Sequence, residues 1–133
     1  MKGWRANDVG QALIEFALLL PLICFMLIGG SDLARAYAMQ LACANGARAG
    51  AESAVIGYNL TDAAIIQHVR DEMARTPGMD PYSANATITV THIAGPPAYT
   101  KVRVQYTFTT IISWPIVPNT ALIDRATQFR VFP

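Results

Sequence analysis

Charged side chains are scarce in this chain, and their signs are balanced. Lys, Arg, Asp and Glu make up 14% of its 133 residues, whereas soluble proteins average about 25%. Ten basic and nine acidic residues give a formal net charge of +1. The chain therefore lacks the positive excess that proteins use to hold nucleic-acid phosphates, and we expect no nucleic-acid partner.

Cysteine and histidine are also rare, with two of each. Cys24 and Cys43 are 19 positions apart, which is about 28 Å on one helix against about 6 Å in a disulfide, so they cannot bridge within an unbroken helix. No cysteine, carboxylate or second histidine stands at metal-ligand spacing from His68 or His92, and no nucleotide-binding or nucleophile motif occurs. The sequence predicts no metal, no cofactor, no small-molecule substrate and no enzymatic activity.

Hydrophobic residues, by contrast, make up 53% of the chain, which excludes a disordered polar tail. They are concentrated in residues 12–31, where Glu15 is the one charged residue. A helix of about 20 residues is about 30 Å long, the thickness of the hydrocarbon core of a bilayer. The pattern predicts one membrane-spanning helix joined to an ordinary domain-sized chain.

The ten residues before this segment predict its orientation. Lys2 and Arg5 outweigh Asp8, and a short positive flank stays in the cytoplasm, so the rest of the chain should be exported. Three interpretations are open at this point: an uncleaved anchor, a secretory signal peptide cleaved near Ala36, and one that rests on Gly10, which ends the charged leader, and on Glu15 five residues later in the apolar segment. Glu15 lies near one end of the segment, where a carboxylate costs less than the ~2.5–3.5 kcal/mol of the bilayer centre.

The apolar segment and the residues after it carry an ordered set of motifs. They are Gly10-Gln11-Ala12-Leu13-Ile14-Glu15-Phe16, Ala17-Leu18-Leu19-Leu20-Pro21, Gly29-Gly30-Ser31-Asp32-Leu33-Ala34-Arg35-Ala36-Tyr37 and Ala44-Asn45-Gly46-Ala47-Arg48-Ala49-Gly50-Ala51. Over roughly residues 10–52, this order resembles the TadE-like pseudopilins, or minor pilins, of the tight-adherence (Flp) type IV pilus system. The resemblance does not extend beyond residue 56.

The resemblance implies that a prepilin peptidase cleaves between Gly10 and Gln11 at the cytoplasmic face of the bacterial inner membrane. It also implies assembly through Glu15 and Phe16, with other pilin or pseudopilin subunits and the inner-membrane assembly platform as partners. The C-terminal part would be exported, and the protein would serve pilus assembly, secretion or cell adhesion. The alternatives are an uncleaved envelope anchor that binds another envelope protein, and a secreted protein with a cleaved signal peptide.

The apolar helix should continue through residues 32–56, which lack proline and are rich in alanine. Within the first half, Pro21 has no N–H for the helix and predicts a kink. Small residues recur every four positions and include Ala42, Gly46 and Gly50, which suits close helix packing. The same run also fits a thin alanine-rich helix lying on a sheet, because its stripe drifts about 40° per step.

Beyond residue 56 the chain shows signals of one short helix and three strands. Residues 62–75 predict a helix capped by Thr61, with Ile65, Val69 and Met73 on one apolar face. Strands are predicted at residues 85–94, 99–110 and 120–132. In the second strand Val102, Val104, Tyr106 and Phe108 alternate with Lys101, Arg103, Gln105 and Thr107.

Short connections between these strands favour an antiparallel meander, whose apolar face needs a helical cover. The sequence therefore predicts an α+β, pilin-like fold, with a long N-terminal helix packed on a small antiparallel sheet of about three strands, plus one short helix. Its predicted parts are a leader (1–10), a transmembrane helix (11–31), an exported continuation of that helix (32–56) and a small exported α+β part (57–133).

Overall fold

The computed structural model describes residues 5–56, 60–115 and 117–131, and of residues 5–9 it describes the backbone alone. Along the chain, the helices and strands are α1 (Arg5–Ile56), α2 (Asp62–Met73), β1 (Ala86–Ile93), β2 (Ala98–Thr109) and β3 (Thr120–Val131). These elements confirm the predicted α+β class. The predicted helix break at residues 57–59 and the first four leader residues lie outside the described residues.

The three strands form one antiparallel sheet in the order β1-β2-β3, so the predicted meander is confirmed. In the register, Val90 lies opposite Val102, and Val104 lies opposite Arg125. The side chains of β2 that were predicted to face the core are buried, whereas Lys101 and Arg103 are exposed. Strict alternation on the central strand therefore fixes which face of the sheet is covered.

Helix α2 has a capping residue at its N-terminus and a turn directly after its C-terminus. The Oγ1 atom of Thr61 accepts a hydrogen bond from the backbone N–H of Ala64 at 3.3 Å, which is the N-cap expected from the sequence. Its buried residues are Ile65, Val69 and Met73, so the predicted apolar face is confirmed. The helix is shorter than predicted because the chain turns after Met73.

The chain divides into two compact units after Ala34. In the second unit, one hydrophobic core joins the C-terminal part of α1, helix α2 and one face of the sheet. Helix α1 contributes mostly small side chains to this core: Met39, Ala42, Cys43, Ala47 and Ala51. Small side chains let the axis of α1 lie close to α2 and to the sheet, so the core is filled mainly by the larger side chains of those elements.

The described part of the first unit, residues 5–34, is one stretch of α1, and its large apolar side chains between residues 13 and 27 are exposed. The helix continues on both sides of Pro21, and the bend at this residue stays a prediction. Cys24 is exposed and Cys43 is buried, and both are free thiols. This agrees with the helical spacing that separates them.

Candidate processing and assembly site

Gly10 and Gln11, the residues of the predicted processing site, lie within α1, and both are exposed. A Cβ atom added to Gly10 would meet nothing within 4 Å. No other part of the described chain covers these two residues, and no part of the chain's own fold requires a glycine at this position. A requirement for glycine here would have to come from another protein.

One helical turn further on, Glu15 projects its carboxylate from the exposed surface of α1. Its Oε1 atom accepts a hydrogen bond from Nε2 of Gln11 at 3.0 Å. An ionised carboxylate has about four acceptor positions, so this bond leaves room for a further donor. The spacing of four residues holds the Gln11 and Glu15 side chains on the same side of the helix.

The segment that follows Glu15 is apolar on all of its faces. Phe16 is 56% exposed and Leu18 is 74% exposed. The other exposed large apolar residues of this segment are Leu19, Leu20, Leu22, Ile23, Phe25, Met26 and Leu27, and Leu13 and Ile14 just before Glu15 are exposed as well. Because this pattern has no polar face, it is typical of a helix that lies in lipid or among other helices.

Among the described residues, α1 is the one helix that is long and apolar enough to cross a membrane, and its most apolar window has no buried residue. A core helix of a soluble domain would have a buried stripe. The structure and the sequence pattern thus agree on membrane association of the N-terminal segment. Water would otherwise contact every large side chain listed above.

The predicted packing residues Ala42, Gly46 and Gly50 are buried within the second unit. A Cβ atom on Gly46 would lie 2.9 Å from Cγ of Met73, and one on Gly50 would overlap Cγ2 of Val69. These two glycines therefore bring α1 against α2 inside the same chain. The same added Cβ atom at Gly50 would lie 3.3 Å from Cγ1 of Val102, so β2 also packs against this face of α1.

The members of the every-fourth-residue stripe before Ala42 do not share this contact. Gly30, Ala34 and Ala38 are exposed, as the rotation of about 40° per step would produce. The buried face of α1 instead follows the helical pattern i, i+3, i+4, i+7, i+8, i+11 and i+12, through residues 39, 42, 43, 46, 47, 50 and 51. That spacing is the signal by which the sequence could have identified Met39, Cys43, Ala47 and Ala51 as core residues.

Two polar contacts were missed because they join residues that are distant in the sequence. Nε2 of His92 lies 2.8 Å from Oδ1 of Asp62, and its Nδ1 lies 3.1 Å from Oγ1 of Thr100. Asp62 is 30 positions from His92, so ligand spacing along the sequence gives no sign of this contact, and β1 brings His92 to the start of α2. No group of three or more His, Cys, Asp or Glu side chains that could hold a metal occurs in the described ranges. His68 is exposed.

The second contact lies on the outer face of the sheet, between β2 and β3. Both Nε and a terminal nitrogen of Arg103 donate to the carboxylate of Asp124, the former at 2.9 Å. Nε2 of Gln105 donates to the same carboxylate at 3.2 Å. These hydrogen bonds, chiefly those from Arg103, hold the pKa of Asp124 below its usual value. The arrangement ties two strands together and has no nucleophile or acid–base pair for chemistry.

The family model described as TadE-like protein matches residues 10–52 of this chain. These are the residues on which the sequence resemblance rests, so that resemblance is confirmed for about a third of the chain. TadE-like pilins are structural proteins without enzymatic activity. No curated protein and no solved structure matches the chain.

Proposed function

We propose that this protein is a minor pilin or pseudopilin of a tight-adherence pilus assembly or secretion machine. The observation that carries the proposal is the TadE-like match over residues 10–52, which includes the whole exposed apolar part of α1. A helix that is apolar all round needs lipid or other helices as its surroundings. A pilin uses both in turn, because it is first a membrane protein and then a subunit in a bundle of helices.

In this proposal, a prepilin peptidase removes residues 1–10 at the cytoplasmic face of the bacterial inner membrane. Cleavage after Gly10 leaves 123 of the 133 residues and creates a positive α-amine on Gln11. The N-terminus lies on the cytoplasmic side, residues 11–31 cross the bilayer, and the C-terminal part is exported. The basic residues Lys2 and Arg5 of the leader support this orientation.

Glu15 then directs assembly. Burying the new α-amine of Gln11 among apolar helices is costly unless a partner neutralises it. Glu15 is the only acid of the apolar segment, and its carboxylate is exposed with acceptor positions to spare. We infer that it receives the amine of a neighbouring subunit, which sets the axial position of one helix against the next. Phe16, also exposed, adds apolar surface beside that contact.

Partner subunits and the assembly platform would contact the first unit of the chain. Its large apolar side chains are exposed between residues 13 and 27, whereas Ala42, Gly46 and Gly50 are already used inside the second unit. Contacts between subunits through α1 are therefore expected at its N-terminal half. Pro21 lies in the middle of that half, where a local loosening would help the helix adapt to its neighbours.

The mass and N-terminal sequence of the protein recovered from bacterial membranes test this proposal. We expect the chain to begin at Gln11, because Gly10 lacks a Cβ and lets a peptidase approach the backbone closely. In the Gly10→Leu variant the 133-residue chain should persist. Gly30→Leu is the matched control, since a Cβ at either glycine meets nothing within 4 Å, and it should be processed normally.

Two other results would overturn the proposal and identify its alternatives. A chain that begins at Met1 in the unmodified protein is an uncleaved anchor. A chain that begins near Tyr37 is a secreted protein that has lost a signal peptide. Normal amounts of the shortened chain from Gly10→Leu would show that cleavage does not depend on this glycine.

A further inference from the structure

The loop between β2 and β3 exposes large apolar side chains to an unusual degree for a connection on a small domain. Ile111 is 62% exposed, Ile112 is 43% exposed and Val117 is 58% exposed. Trp114 lies between them and is half-buried. Loops of soluble domains are normally polar, so these side chains point to a surface that is covered by something apolar.

Specific hydrogen bonds organise this loop. The backbone N–H of Thr110 donates to the carbonyl of Asn119 at 3.0 Å, which closes the loop at its base. Oγ1 of Thr110 donates to the carbonyl of Ile112 at 2.8 Å. Oδ1 of Asn119 accepts from the backbone N–H of Trp114. The Asn119 side chain thus braces the loop from within, and the apolar side chains stay outside.

The position of the loop follows from the direction of β2 along α1. Near the start of β2, Val102 lies beside Gly50. Near its end, the ring of Phe108 lies 5.4 Å from the guanidinium carbon of Arg35. The loop that follows β2 is therefore at the Arg35 end of the second unit. Four residues before Arg35, the chain leaves the apolar segment 12–31.

The charge pattern of this end of the domain also indicates what covers the loop. From Gln105 to Ile123 the sequence contains no Asp, Glu, Lys, Arg or His, and Leu122 adds a further exposed apolar side chain, 64% exposed. Arg35 is a cation at the same end, and the acid Asp32, three residues before it on α1, is buried. Tryptophan and aliphatic side chains without charges, next to a basic residue, are the composition of proteins at a lipid headgroup interface.

We propose that loop 110–119 inserts into the interface of the lipid bilayer that α1 spans, on the exported side. Trp114 would lie at the headgroup level, with Ile111, Ile112 and Val117 toward the acyl chains. This inference rests on the proposed membrane anchoring by α1. The loop gives the exported domain a second attachment, which limits its rotation and tilt before the subunit leaves the membrane.

Fluorescence of a single tryptophan tests the insertion in the full chain. The sequence has two tryptophans, Trp4 and Trp114, so Trp4→Phe leaves Trp114 as the one probe. The protein is reconstituted into vesicles of phosphatidylcholine and phosphatidylglycerol, with bromine on the acyl chains either near the headgroup or deep in the bilayer. An aqueous quencher, acrylamide, is applied in parallel.

The matched control moves the probe to the opposite end of the same sheet. Ile93 is 43% exposed and pairs with Tyr99 beside the β1–β2 turn. Ile93→Trp is made together with Trp4→Phe and Trp114→Phe. We expect shallow bromines to quench Trp114 severalfold more than the tryptophan at position 93, and acrylamide to do the reverse.

The outcomes separate this inference from the proposed function. Flotation of the vesicles and resistance to alkaline extraction report on the insertion of α1. If the chain is inserted but acrylamide quenches Trp114 as strongly as the control, the loop inference is wrong and the anchoring stands. If neither quencher reaches Trp114, a second protein copy covers the loop and the lipid assignment is also wrong. A chain that does not float overturns the anchoring and the loop inference together.

Discussion

At Gly50 the packing of α1 leaves no room for even one additional methyl group. The added Cβ of Gly50→Ala would overlap Cγ2 of Val69 and lie 3.3 Å from Cγ1 of Val102. Overpacking of this kind costs about 1–3 kcal/mol, which exceeds the gain of up to about 1 kcal/mol from better helix propensity. We expect Gly50→Ala to lower the midpoint of thermal unfolding of the full chain in detergent, followed by near-ultraviolet circular dichroism.

Gly30→Ala is the control for this substitution, because a Cβ there meets nothing within 4 Å. It should leave the midpoint unchanged or raise it. Gly46→Ala should lower the unfolding midpoint by an intermediate amount, since the nearest atom, Cγ of Met73 at 2.9 Å, belongs to a flexible side chain. Equal midpoints for Gly50→Ala and Gly30→Ala would contradict the close approach of α1 to α2.

Asp124 gives a second prediction at this scale, concerning pH. Its pKa is lowered chiefly by hydrogen bonds from Arg103. A carboxyl whose pKa is lower in the folded state stabilises the fold above its unfolded pKa, and this contribution is lost as pH falls through its folded pKa. In Arg103→Met, we expect the pKa of Asp124 to rise, as measured by NMR titration of its carboxyl carbon in the full chain.

Lys101→Met is the matched control, because Lys101 lies two residues away on the same strand and does not bind Asp124 in the described structure. It should leave the pKa of Asp124 essentially unchanged. If both variants raise the pKa by the same amount, general positive charge on the sheet is responsible and the hydrogen bonds are not.

Among the elements, strand β2 contributes four buried hydrophobic side chains to the core. Phe108 is 5% exposed, and Phe→Ala at a buried site costs about 3–5 kcal/mol. The Phe108→Ala variant also loses the Arg35 contact. For a small domain this is a large share of the free energy of unfolding, so we expect a strong decrease in the unfolding midpoint of the full chain.

Thr107→Ala tests whether the effect follows the face of the strand. Thr107 is the next residue on β2 and lies on the opposite face, where it is half-buried. Its substitution should change the midpoint only slightly. A register shifted by one residue would reverse the two results.

The elements themselves were predictable because each has a local signal. Alternation identifies β2, and the cap at Thr61 with the spacing of Ile65, Val69 and Met73 identifies α2. The buried face of α1 was less accessible, because alanine and glycine occur on several of its faces and their hydrophobicity hardly distinguishes them. Contacts between distant residues, such as that of His92 with Asp62, depend on how the elements pack and have no signal in sequence spacing.

For the whole molecule, the proposed role of Glu15 predicts a defect in assembly without a defect in folding. Glu15→Gln keeps the shape of the side chain and removes its charge. Its carboxylate bonds only to Gln11 within the described part of the chain, so cleavage, membrane insertion and unfolding of the second unit should be unchanged. Co-purification of partner pilins and the yield of pili should decrease.

The control for Glu15→Gln is Glu52→Gln, because Glu52 is also an exposed acid of α1 but lies in the second unit. This variant should assemble normally. Unchanged piliation in Glu15→Gln would show that the carboxylate is an interfacial side chain without a role in register.

The core joins helix α1 and strand β3, which are the first and the last elements of the chain to be synthesised. Gln40 on α1 accepts a hydrogen bond from Arg125 on β3 at 3.0 Å, and Ile123 and Phe129 complete the cluster that begins at Met39. If the C-terminal part crosses the membrane as proposed, α2 and β2 can cover the face of α1 at Gly46 and Gly50, but the core is incomplete until the last strand has emerged. The domain must then be translocated unfolded, and its core can close only after synthesis and transport are both finished. During that interval, the part of the core that β3 will cover stays exposed to solvent and to any other protein on the exported side.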